Sequence, residues 1–153
     1  MPLTTAPLRA HDGLMDHDRN GLQVLGREEC IQLLEGVHVG RVALSVQALP
    51  VVLPVNYVVM DGDVVIQTGE GTKLEAAMTN SVVAFEVDDY DAYDHTGWSV
   101  LVQGMAEEIV DPDELDRARA APLSAWAGPK EHFVRITATR ISGRRVAHGA
   151  RVP

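Results

Sequence analysis

The segment Thr68-Gly69-Glu70-Gly71-Thr72-Lys73-Leu74 is the stretch best suited to chemistry in this sequence. A β-type run ends there, two glycines free the backbone, and a helical run begins with a hydroxyl and a lysine. Backbone N–H groups at such a junction attract anions, and Lys73 adds a full positive charge. The combination reads as a phosphate cradle. Its glycine spacing is not that of a Walker loop. A plain strand-to-helix turn with an exposed lysine fits the same residues.

Leu53-Pro54-Val55-Asn56-Tyr57 is the second candidate. A proline within a strand must lie at an edge or beside a bulge, where no ladder donor is needed. Asn56 stands in an apolar run, and a buried amide needs partners. A flat heterocycle with imide groups would supply them, and so would neighbouring backbone, which is the commoner partner. Trp98, in Gly97-Trp98-Ser99-Val100, could cover a ring or a subunit interface, or pack in the core.

Other candidates carry less. The six histidines (His11, His17, His38, His95, His132 and His148) are scattered, and none has zinc-site spacing, so no metal is expected. His132 beside Phe133 could face a ligand. Asp88, Asp89, Asp91 and Asp94 lack the central glycine and closing glutamate of a calcium loop and read as a solvated acidic loop. Cys30 reads as a core thiol. Ser45, Ser81, Ser99 and Ser124 lie in no nucleophile elbow. No acid–base set stands out, as fits a protein whose cofactor carries the hard chemistry.

The elements that must position these residues are mostly strands. Residues 1–20 read as a flexible arm, or one that orders only against a partner chain. Residues 26–36 predict a short helix with acids in its first turn, stopped by Gly36. Strands are expected over 39–46, 51–60 and 64–68, the last two joined by a hairpin at Asp61-Gly62-Asp63. A helix over 74–79 and a strand over 81–87 follow, then the acidic loop 88–97 and a long strand over 98–110 with a bend at Gly104. Asp111-Pro112-Asp113-Glu114 opens a helix reaching about residue 120. Residues 132–139 and 141–146 complete about seven short antiparallel strands, and 148–153 read as a loose tail. A closed or nearly closed barrel removes the exposed edges of such a sheet, so the fold class is mainly β, a barrel with a few short helices.

The totals agree. At 153 residues the chain suits one domain, spanning 21–147 between arm and tail. A net charge of −9 argues against nucleic acid, which needs clustered Lys and Arg. The single cysteine excludes an internal disulfide and suits a reducing compartment. No apolar run reaches the ~18 residues of a membrane span, and the N-terminus has no apolar signal core, so a cytoplasmic protein is expected.

Taken in order, Gly40-Arg41-Val42-Ala43, Pro54-Val55-Asn56-Tyr57, Thr68 to Leu74, Ala84-Phe85-Glu86-Val87-Asp88 and Gly97 to Gly104 form a recognisable series. Over residues 27–147 the chain resembles the pyridoxamine 5′-phosphate oxidase-like family of flavin-binding split barrels, particularly its short nitroimidazole-resistance-type branch. The resemblance implies an FMN-binding split β-barrel and a homodimer with two flavin sites across its interface. By position, Thr68, Gly69, Thr72 and Lys73 would hold the phosphate. Leu53, Pro54, Val55 and Asn56 would line the isoalloxazine ring, largely through backbone groups. Trp98 and Ser99 would approach the ring from a strand near the interface. The sequence departs from the true oxidases, which carry an arginine-rich phosphate set and a C-terminal Arg and His pair. Here one lysine serves the phosphate, and the residues around Arg144 and Arg145 do not match, so vitamin B6 oxidation is not expected.

The function implied is a flavin-dependent oxidoreductase that takes hydride from a nicotinamide donor and reduces a small organic electrophile. The alternative is a non-enzymatic flavin, deazaflavin or haem protein on the same barrel, with His38, His95 or His132 as haem ligands. A chain of net charge −9 is a poor host for the polyanionic tail of a deazaflavin. A dimeric structural domain with a decayed site is the third reading.

Overall fold

Branched apolar residues fill the runs between turns, and they pack well on a pleated surface. The computed structural model describes residues 16–69, 73–123 and 132–146. These form eight strands and three helices. In order they are β1 (Gln23–Leu25), α1 (Arg27–Glu35), β2 (Val39–Val46), β3 (Leu49–Met60), β4 (Asp63–Thr68), α2 (Lys73–Met78), β5 (Ser81–Asp91), β6 (Thr96–Glu108), α3 (Pro112–Ala120), β7 (His132–Ile136) and β8 (Arg140–Val146).

Six strands close a barrel in the order β6-β5-β2-β3-β4-β7, with β7 returning to β6. All pairings are antiparallel. The second edge of β6 is shared. Its Gly97–Gln103 stretch pairs with β8, and its Ala106–Glu108 stretch pairs with β7. Gly104 marks the split: a Cβ there would lie 1.7 Å from the Thr137 carbonyl oxygen. Only glycine lets the β7–β8 connection cross so closely.

The interior is filled by Val42, Val64, Ile66, Phe85, Val100, Val102, Val134 and Ile136, all without solvent exposure. Tyr57 packs edge-on against Phe85 with ring centroids 4.7 Å apart, and its hydroxyl donates to the Leu34 carbonyl at 2.5 Å. That bond ties α1 to β3. Outside the barrel, Val65, Ile109, Ala118 and Phe133 make a smaller cluster beneath α3, so β4 is covered on both faces. α3 starts as the sequence predicts, with Asp111 accepting from the Glu114 amide at 2.9 Å and Pro112 in the first turn.

The structure corrects several expectations. Residues 88–91 do not begin an acidic loop. They extend β5, and the hairpin returns at Thr96, so Asp88, Asp89 and Asp91 sit on a strand that projects past the barrel into solvent, and Asp94 lies in the turn. β3 starts at Leu49, two residues early, because Gln47 and Ala48 both take positive φ and make a two-residue turn. β1 is an eighth strand, too short for periodicity to reveal. Part of the predicted arm is fastened: Asp18 accepts from the Asn20 and Leu22 amides and pairs with Arg144 at 3.0 Å. Residues 1–15 and the tail lie outside the described residues. Among the described residues no helix is long and apolar enough to cross a membrane.

Candidate functional site

β3 has twelve residues, and its two edges are used differently. One edge pairs with β2 from Leu49 to Asn56. The other pairs with β4 only from Tyr57 to Met60. No strand among the described residues runs along that second edge over Leu49–Asn56, so main-chain donors and acceptors there are open to a ligand. Pro54 lies in this stretch, where its missing N–H harms no ladder.

The register brings two sequence candidates together. Tyr57 and Ile66 form the last pair of the β3–β4 ladder, so the two strands part there, with Leu53–Asn56 on one side and Gln67–Gly69 on the other. Both candidate segments therefore start from the point where β3 and β4 separate. Pro54 and Asn56 point to the outer face, and Leu53 and Val55 face the core. Thr72 lies outside the described residues, as does the Lys73 side chain.

Trp98 and Ser99 are elsewhere. Across the outer face Asn56 pairs with Val39, Val39 follows the register to Asp88, and Asp88 pairs with Ser99. Three strand spacings separate Asn56 from Ser99, about 14 Å. Trp98 points the opposite way, half-buried against the core and lining a cleft of about 600 Å³ with Tyr90, Tyr93 and Arg145. Within one chain they cannot reach a ring held at Leu53–Asn56.

The outer face of β3, β2, β5 and β6 is unusually apolar for a surface. Val52 is 60% exposed and Val82 70%. Val52, Ala43, Ala84 and Gln103 form one crosswise row, and Val82 pairs with Met105 beside it. Next to this patch Arg41 contacts Asp88 at 2.9 Å and Glu86 at 3.5 Å. Burial, and after it the charge of Asp88, pushes the Glu86 carboxyl up against the pull of Arg41. Cys30 is fully buried, and burial raises its thiol pKa, so it is the unreactive core residue expected.

One cluster was not legible. Glu75 of α2, Glu108 of β6 and His132 of β7 converge at one rim of the barrel. His132 Nδ1 lies 2.9 Å from Glu108 Oε1 and 3.2 Å from Glu75 Oε1. The three are too far apart in sequence for any spacing rule. The one signal is alternation, since His132 shares a strand face with the buried Val134 and Ile136.

Comparison with known proteins agrees with this architecture. A family model described as pyridoxamine 5′-phosphate oxidase matches residues 26–145. An uncharacterized protein of Mycobacterium tuberculosis, Rv0080, is 37% identical over 135 residues, covering 84% of this chain and 88% of its own length. A FAD binding protein from Mycobacterium smegmatis superimposes with a TM-score of 0.71 at 39% identity, covering 80% of this chain and 96% of that one. A FAD-binding protein from Mesorhizobium loti gives 0.66 at 28% identity, covering 82% and 99%.

Proposed function

The chain belongs to the pyridoxamine 5′-phosphate oxidase family, and on that premise we propose that it is a flavin-dependent oxidoreductase acting as a homodimer on a small organic substrate. The observation that carries this reading is the β3 edge left without a strand over Leu49–Asn56, which opens where β3 and β4 part, two residues before Thr68. A flavin ring has alternating acceptors and a donor along its pyrimidine edge, and an open strand edge offers the complementary groups. Main-chain groups of Leu53, Pro54, Val55 and Asn56 would hold that edge. Thr68 and Gly69, with Thr72 and Lys73, would hold the phosphate.

A bound flavin would supply hydride acceptance and donation, and the chain would bind it, orient it and exclude water. The ~14 Å between Asn56 and Ser99 makes a second copy necessary if Trp98 and Ser99 are to approach the same ring. The exposed Val52, Val82 and Met105 give that copy an apolar patch to cover. With one lysine in the phosphate segment, vitamin B6 is not the proposed substrate.

FMN is the simplest occupant. FAD is the second reading, favoured by the 39%-identical relative described as FAD binding. The test reconstitutes the protein with each flavin and offers NADH or NADPH, then nitroaromatic or quinone acceptors. Turnover supports the enzyme. A bound flavin that no donor reduces and no acceptor reoxidises rejects it in favour of a carrier, and binding of deazaflavin or haem instead rejects the flavin assignment.

A further inference from the structure

We propose that the rim of the barrel where α2, β6 and β7 meet is a binding site for a first-row divalent cation, held by Glu75 Oε1, Glu108 Oε1 and His132 Nδ1. One ligand atom from each of the three residues lies within 4.8 Å of the others, and His132 Nδ1 is 2.9 Å from Glu108 Oε1 and 3.2 Å from Glu75 Oε1. Metal–ligand bonds of about 2.1 Å place neighbouring ligand atoms about 3.0 Å apart in an octahedron and about 3.4 Å in a tetrahedron. The two spacings to His132 match such edges. Two carboxylates balance the charge of a divalent ion, and one imidazole with two carboxylates suits Zn²⁺, Mn²⁺ or Fe²⁺.

A second observation points into the same place. Thr68 faces His132 directly across the β4–β7 pair, so both side chains lie on the inward face of the sheet. Thr68 is only 3% exposed, and its hydroxyl has no hydrogen-bond partner among the described residues. A buried hydroxyl left unpaired is unfavourable. A water on the cation would give it a partner. Three protein ligands leave coordination positions open for that water. Thr68 and α2 also belong to the proposed phosphate segment, so the metal titration is run on flavin-free protein and flavin binding is measured separately.

The test is calorimetric titration of chelator-treated, full-length protein with Zn²⁺, repeated with Mn²⁺ and read by electron paramagnetic resonance. One ion per chain is expected. Glu75→Gln and Glu108→Gln, which keep side-chain shape, should each weaken binding by at least about 100-fold while melting curves show them folded. His38→Ala, at an exposed histidine away from the rim, should leave binding unchanged. Absence of stoichiometric binding by the wild type overturns the proposal and leaves a histidine bridged by two carboxylates. Binding that survives both glutamine variants, or that falls with His38→Ala, also overturns it.

Discussion

Gly104 lies directly beneath Thr137: the carbonyl oxygen of Thr137 stands 1.7 Å from where a Gly104 Cβ would be. At this crossing β6 exchanges β8 for β7 as its neighbour, so the contact is the point at which the barrel splits. The obstructing atom is backbone and cannot swing aside. Gly104→Ala should therefore destabilise the fold by about 3 kcal/mol or more, at the upper end of overpacking effects. Urea unfolding with unchanged m-value checks this, and a wild-type midpoint would contradict it.

Tyr57 ties the barrel to α1. Tyr57→Phe keeps the edge-on packing with Phe85 and removes the donor to the Leu34 carbonyl. The expected loss is about 1–2 kcal/mol, since the buried oxygen is left with only the long bond from the Val37 amide. Chemical denaturation measures it, with the gain in α1 amide exchange as a local readout.

Asp18 gives a pH dependence. The Leu22 amide foremost, with the Asn20 amide and the Arg144 guanidinium, holds its carboxyl below the usual range. A depressed folded pKa contributes stability above the ordinary aspartate value and loses it as pH falls through the folded value. Melting temperatures of wild type and Asp18→Asn should thus differ at neutral pH and converge below about pH 4. A gap independent of pH would refute the assignment.

The outer apolar face carries the dimer proposal. Val82→Glu places a charge opposite Met105 on a 70%-exposed position that supports no core packing. Analytical ultracentrifugation should show the variant as a monomer with a nearly unchanged barrel, and flavin retention should fall with the dimer. A monomeric wild type would remove this part of the account.

The sequence made most strands legible, because valine alternation is strong and Asp61-Gly62 supplies two positive φ angles for a hairpin. It misread 88–91, where four consecutive polar or aromatic residues look like a loop although the hairpin simply outruns the core. The phosphate segment and the Pro54 segment were each visible, but that both leave the point where β3 and β4 part follows from the β3–β4 register, a tertiary fact. Trp98 and Ser99 lie three strands from Asn56 within one chain, so their approach to the same ring depends on a second copy, which no local pattern reveals. Of the Glu75, Glu108 and His132 cluster only the inward alternation of His132 was legible, because closure of the barrel alone joins three distant elements.

The phosphate contact is testable by one charge. Lys73→Ala should weaken flavin binding by about 1.5–3 kcal/mol, the range for a charge-assisted hydrogen bond. Fluorescence titration reads this as a loss of roughly 10- to 150-fold. Unchanged affinity would place the phosphate elsewhere.

The most direct measurement is a visible absorption spectrum of the purified protein after incubation with excess FMN or FAD and desalting. A retained flavin band at about one flavin per chain is expected. A protein that leaves the column colourless after both incubations would contradict flavin binding at the β3 edge and leave the split barrel without its proposed cofactor.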